Sequence, residues 1–411
     1  MNLFIIPSWY PSQRKPLAGI FIKEQVDAIA ACLPNTSPIV STWGHDDGRL
    51  SPSILKHPKQ LVQIAQWRIK PHHSVPESHS NGKPQDERPY EVFHPAISWS
   101  HRLPFGGVRR LLNVNRKNFR LATQRYGKID LIHAHVSYPA GYIASVLKQE
   151  FGVPYVLTEH MGPFPLPTFI GQDGLLPEIK TAFDSADAVI AVSPYLADSV
   201  EKTGLRRPVV IPNLVNENRF TPAPSPDTCF TFLALCLMVE TKGIDHLLHA
   251  LARWNPPANQ VQLKIGGDGP MLKPYRALAH RLGLEDRVFW LGYVRREQVP
   301  QLFQSCHAYV LPSHQETFGL VYAEAIASGK PVIATRCGGP ESIINHNNGR
   351  LVDVGDVAGL AKTMAWMAQH WDAFEPQKIR EDFESRFSQR AVVEKLARIY
   401  AEVIGGSDDS P

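Results

Sequence analysis

The sequence predicts an α/β protein made of two parallel sheets, each covered by helices, with a cleft between the two halves. Three observations lead there. Short apolar runs alternate with helical patterns along the chain, as they do when crossover helices join parallel strands. A Pro-rich stretch, RFTPAPSPD at 219–227, interrupts that alternation near the middle. The length, 411 residues, exceeds one typical core and is comfortable for two.

The elements follow in order. NLFII (2–6) reads as the first strand. FIKEQVDAIA (21–30) reads as a helix with Ile22, Val26 and Ile29 on one face. Segment 71–90 is polar and rich in Pro, Ser and His, the composition of an exposed loop. IDLIHAH (129–135), PYVLTEH (154–160), ADAVIAVS (186–193) and PVVIP (208–212) each read as a strand. After the Pro-rich boundary the strands are CFTFLALC (229–236), VQLKIGG (261–267), RVFWLG (287–292), AYVLPS (308–313), KPVIAT (330–335) and GRLVDV (349–354). IDHLLHALARW (244–254) and VPQLFQSC (299–306) are helices among them. The expected domains are therefore 1–218 and 228–390. The helical pattern at 391–404 is a candidate to pack back on the first half, and 405–411 reads as a disordered tail.

Bulk properties exclude several classes. Net charge is only +4, with 43% apolar and 20% charged residues, so nothing marks a nucleic-acid binder. The first residues lack a basic region and an adequate apolar run, which argues against a secretory signal. No stretch approaches the roughly 20 apolar residues of a membrane span. The five cysteines are odd in number and lack metal-ligand spacing, as expected of free thiols in a reducing compartment. These features predict a cytoplasmic protein.

The stretch HQETFGLVYAEA (314–325) raises a question of charge. It follows a buried strand and opens a helix read as 318–328. A helix start at the carboxyl end of a parallel strand offers unpaired amides and positive partial charge, a seat for phosphate. Gly319 removes a side chain where a phosphate must approach. Yet two carboxylates, Glu316 and Glu324, flank the seat. The conflict resolves if the glutamates take the hydroxyls of sugars on either side of a diphosphate. A glycosidase pair needs two acids facing one scissile bond, which a single loop–helix unit suits poorly.

With that geometry stated, the stretch resembles the E-x7-E signature of family 4 retaining glycosyltransferases, whose fold is GT-B: two Rossmann-like domains facing across a cleft. TKGIDHLLHAL (241–251), GGDGP (266–270), the run 291–343 and PNLVNENRF (212–220) resemble further segments of that family. PSWYPSQRKPLAGIFIKEQ (7–25) is similar to the first loop of members from bacterial polysaccharide pathways, where HAH (133–135) and TEH (158–160) also recur.

The resemblance implies that the first domain is the acceptor side and the second binds the nucleotide sugar. It implies Glu324 on the nucleotide ribose, Glu316 on the transferred sugar and Lys242 on the diphosphate. Amides of Phe318, Gly319 and Leu320 complete the phosphate seat. Gly267 belongs to the glycine-rich turn, and Gly292, Tyr293 and Val294 lie near the base. His135 sits beside the reacting sugar with His133 as its neighbour, and Gly19 lets the first loop approach donor or acceptor. Taken without the resemblance, a strand-end histidine is more often a structural group, a lone lysine a solvated one and Gly19 a loop glycine; His160 is a weaker candidate at the same edge.

Two departures stand out. Family members carry an arginine before the Lys-Gly pair, where this chain has Cys236 and Leu237; Arg14 or Arg336 can substitute. An acid before the linker is Asn216 here.

The implied reaction is transfer of a sugar, with retained configuration, from a nucleotide diphosphate to a hydroxyl of a glycan or lipid-linked acceptor in surface polysaccharide synthesis. The D-x-D pattern of metal-dependent transferases is absent from the sequence, so metal-independent transfer is expected, with no cofactor. A UDP-sugar is favoured; a GDP-mannose-dependent mannosyltransferase, a sugar-nucleotide epimerase or a non-catalytic binding module of the same fold are the alternatives. RRLLNVNRKNFRLATQRYGK (109–128) contains no acid. It is either a solvated helix face or a peripheral contact with an anionic membrane surface on the inner face of the membrane.

Overall fold

The computed structural model describes residues 1–12, 14–45, 89–96, 107–172, 174–224 and 229–406. The chain divides into two compact units. The described residues of Met1–Val192, Ala197–Ile211 and Val393–Pro411 form the first, and those of Ser193–Leu196 and Pro212–Val392 form the second.

In the first unit the strands are β1 (Asn2–Pro7), β2 (Ser37–Thr42), β3 (Tyr90–Phe93), β4 (Leu131–His135), β5 (Tyr155–Glu159), a small pair β6 (Ile170–Gly171) and β7 (Gly174–Leu175), then β8 (Ala188–Ala191) and β9 (Val209–Val210). Seven of them form one sheet in the order β3-β2-β1-β4-β5-β8-β9, every pair parallel. The central strands β1, β4, β5 and β8 are almost entirely buried, as strands covered on both faces are, whereas the edge strands β3 and β9 are only partly buried. Helix Ile20–Cys32 packs through Ile22, Val26 and Ile29, all fully buried. Burying each such side chain contributes about 2 kcal/mol relative to leaving it in water.

The second unit repeats the plan. Strands β10 (Phe230–Leu235), β11 (Val261–Gly266), β12 (Val288–Gly292), β13 (Ala308–Leu311), β14 (Val332–Thr335) and β15 (Gly349–Val352) are ordered β12-β11-β10-β13-β14-β15. All pairs are again parallel. Each sheet thus winds outward from its first strand in both directions, as doubly wound dinucleotide-binding sheets do. Among the described residues, no helix is long and apolar enough to cross a membrane.

Two readings need adjustment. Tyr90, placed at the end of a polar loop, opens strand β3; residues 71–88 lie outside the described residues. The Pro-rich stretch begins inside the second unit, where Phe220 is fully buried and its carbonyl accepts from Arg380. The last helix, Gln389–Gly405, belongs from Val393 onward to the first unit.

Candidate active site

In an open parallel sheet, ligands gather at the carboxyl ends of strands where the strand order reverses. In the second unit that point lies between β10 and β13. The segment leaving β10 carries Lys242, and the segment leaving β13 carries Glu316. Their side chains meet: Lys242 Nζ donates to Glu316 Oε1 at 2.6 Å, with the two side chains 22% and 13% exposed. Ser313 Oγ donates to the same oxygen at 2.8 Å. The loop bearing Glu316 is fixed on its other side, because Gly339 N donates to Glu316 O at 2.8 Å and Glu316 N to Cys337 O at 3.2 Å.

Helix Leu320–Ala327 starts directly beyond this carboxylate. Its N-cap is Gly319, with φ +93° and no side-chain cap. A Cβ there would lie 2.4 Å from the Tyr322 ring, so both space and conformation require glycine. The amides of the first turn have no intrahelical acceptor. Phe318 is buried against Phe387, and Leu320 is half-buried at the helix start. Glu324 is 1% exposed and pairs with Arg296, whose guanidinium also lies over the Phe220 ring at 5.3 Å. The sequence does not single out Arg296, which lies within the run 291–343. Its burial, 14% side-chain exposure, is what sets it apart.

Gly267 follows β11 with φ +140°, and a Cβ there would lie 1.8 Å from the Cys236 carbonyl oxygen. That glycine lets two loops of the same unit touch. Tyr293 is exposed and Val294 half-buried just beyond β12. Neither residue at the position of the absent arginine supplies a cation: Leu237 is exposed, and burial pushes the Cys236 thiol up to about 12. Arg336 Nε is paired with Asp353 at 3.3 Å.

In the first unit the reversal lies between β1 and β4, where Pro7 is in register with His135. Both histidines of β4 are fully buried, with rings stacked at 4.2 Å. His133 is saturated: Nδ1 meets Tyr400 Oη and Nε2 meets Thr158 Oγ1, each at 2.7 Å. His135 is not. Its Nδ1 lies 3.0 Å from His160 Nε2, while its Nε2 has no hydrogen-bond partner among the described residues. Burial lowers the pKa of His133 to about 3 and that of His135 well below the usual histidine value, so both rings are neutral at pH 7.

Val136, next in the chain, has φ +76°. This is an outlying conformation for a β-branched residue, of a kind that costs about 1–3 kcal/mol and clusters at functional sites. Glu159 closes the arrangement by accepting from the amides of Ser137, His160 and Met161 at 2.9–3.0 Å. The sequence offered no sign of this role beyond the acid in TEH. Gly19, at φ +67°, caps helix Ile20–Cys32, and a Cβ there would lie 2.3 Å from Trp9 O. The fold of its own loop therefore accounts for that glycine.

These two halves define a class: a GT-B transferase acting on nucleotide sugars. Residues 216–386 match the family model described as glycosyl transferases group 1, and residues 75–219 match glycosyltransferase family 4, together about three quarters of the chain. The chain belongs to the family 4, group 1 glycosyltransferases. An uncharacterised glycosyltransferase of Methanocaldococcus jannaschii is 26% identical over 314 residues, 74% of this chain and 83% of its own. The lipopolysaccharide core biosynthesis glycosyltransferase LpsD of Rhizobium meliloti is 27% identical over 244 residues, 56% of this chain and 68% of its own. The crystal structure of HepE from Anabaena in complex with UDP has a TM-score of 0.70 and 20% identity, covering 98% of this chain and 100% of that one. At that identity the likeness establishes the fold.

Proposed function

We propose that this enzyme transfers a sugar, with retention, from a UDP-sugar to a hydroxyl of a glycan or lipid-linked acceptor in surface polysaccharide synthesis. The observation that carries the reading is the meeting of Lys242 and Glu316 beside the uncapped start of helix Leu320–Ala327. A departing diphosphate needs positive charge already in place, and an ammonium with aligned amides supplies it. In this role Lys242 turns from Glu316 to the phosphates, and the amides of Phe318, Gly319 and Leu320 complete the seat. Glu316 then takes hydroxyls of the sugar, and Glu324, held by Arg296, those of the ribose. Gly267, Tyr293 and Val294 border the nucleoside. His135, neutral and with Nε2 available, takes a hydroxyl of the reacting sugar.

No residue is assigned as a covalent nucleophile, and the leaving phosphate takes the acceptor's proton. The proposed chemistry needs no divalent cation for bond breaking, so transfer is expected to persist in EDTA. The choice of UDP is supported by HepE, whose structure contains UDP, and the choice of acceptor by LpsD, whose name places it in lipopolysaccharide core synthesis. Helix Val108–Tyr126 presents Arg109, Arg110, Lys117, Arg120 and Arg125 as exposed cations, which supports contact with the anionic inner face of a membrane by a cytoplasmic enzyme.

A panel of nucleotide sugars tests the donor. A UDP-sugar is expected to raise the melting temperature and to release UDP when acceptor is supplied, with the product anomer matching the donor's. A response confined to GDP-mannose, or none to any UDP-sugar, overturns the reading.

A further inference from the structure

Asp245, His246 and His314 bring one ligand atom each to within 4.8 Å of one another, and all three are half-buried. His314 Nε2 lies 3.2 Å from His246 Nδ1, with the ring centroids 4.7 Å apart. Asp245 Oδ2 lies 3.8 Å from the other nitrogen of His246. Two imidazole nitrogens at this separation share one proton as a hydrogen bond, or share a cation. The separation matches the edge of a tetrahedron, about 3.3 Å, drawn with Zn–N bonds of about 2.0 Å.

We propose that Asp245, His246 and His314 form a binding site for a borderline divalent cation, with Zn2+ the best match. Two imidazoles and a carboxylate are the donor set such ions favour, whereas Mg2+ and Ca2+ prefer all-oxygen surroundings. Three protein ligands leave a tetrahedral ion one position for water. The sequence could not announce the site, because His314 is far from the other two in the chain and no compact ligand spacing exists.

Its place in the fold gives the site a consequence. His246 lies four residues after Lys242, across the helix N-cap Gly243, and His314 lies two residues before Glu316. The two segments already touch through His314 N to Thr241 O at 2.8 Å, and a Cβ on Gly243 would lie 2.1 Å from Pro312 O. A bound cation staples the segment leaving β10 to the segment leaving β13. It acts on the rigidity of that junction and takes no part in bond breaking. The site therefore stands whether or not the sugar-transfer reading holds.

The test is titration of the full, metal-stripped chain with Zn2+ by calorimetry, with Co2+ as a spectroscopic stand-in. Uptake of one Zn2+ per chain at roughly micromolar concentration is expected. It should raise the melting temperature, and the Co2+ spectrum should lack a thiolate charge-transfer band. His246→Ala, His314→Ala and the milder His246→Gln should each weaken binding at least tenfold while circular dichroism stays unchanged. His249→Ala, on the exposed side of the same helix, should bind as the parent does. Absence of saturable uptake up to about 100 μM, persistence of uptake in both histidine-to-alanine variants, or a thiolate band overturns the proposal.

Discussion

Lys242 Nζ lies 2.6 Å from Glu316 Oε1, and the two side chains arrive on segments leaving β10 and β13, the strands between which the sheet order reverses. In the proposed reaction this ion pair is a resting state, exchanged for contacts with diphosphate and sugar. Lys242→Ala should lower kcat/KM for transfer by roughly 10²–10³-fold, as loss of a preorganised charge-stabilising group does. Glu316→Ala should fall as far. Rates of UDP release with and without acceptor measure both; a loss under tenfold for either would remove that residue from the machinery.

Glu324 and Arg296 form a pair sequestered from water. Removing Arg296 takes the paired guanidinium away from a carboxylate that stays buried. Arg296→Ala should therefore destabilise the fold by about 3 kcal/mol in denaturant unfolding. The double variant Arg296→Met with Glu324→Gln should recover most of that stability while failing to bind nucleotide. Equal destabilisation by the single and double variants would contradict this account.

Stability should fall in mild acid. Burial depresses the folded pKa of His133 to about 3 from 6.5. Between those values the unfolded chain binds a proton that the folded chain refuses, so this contribution is complete above 6.5 and declines as pH drops. At pH 5 the loss from His133 alone is about 2 kcal/mol. Melting temperatures recorded from pH 7 to 5 should show the decline, and His133→Gln should make it shallower, the buried His135 contributing the rest. An unchanged slope in that variant would place the effect elsewhere.

The exposed cations of helix Val108–Tyr126 should hold the protein on anionic vesicles at low salt and release it as salt rises. Arg109→Glu combined with Lys117→Glu should abolish co-flotation. Arg116 is the wrong choice for this experiment, because it is engaged by Glu150 through Nε at 2.8 Å. A parent protein that stays in solution with these vesicles at low salt would sink the membrane contact.

The strands that the sequence announced are the apolar ones, such as FTFLAL in β10 and AYVL in β13, which are fully buried. SPIVST and YEVF escaped notice for physical reasons. β2 mixes proline and hydroxyl residues, and β3 is a four-residue edge strand that is only partly buried. The positions around Glu316, Gly319 and Glu324 were readable because spacing along one loop and helix is local information. Arg296, Glu159 and Tyr400 were not, since burial and distant partners made them notable. Nor could a valine at position 136 reveal that its backbone sits at positive φ.

The hydroxyl of Tyr400 reaches His133 from a helix that begins after the entire second unit has been spelled out. During synthesis, then, the first sheet emerges before the tyrosine that contacts its central histidine. It cannot finish closing around its central histidine until nearly the whole polypeptide has left the ribosome. Release upstream of position 400 would leave the His133 Nδ1 without the hydroxyl that Tyr400 brings to it.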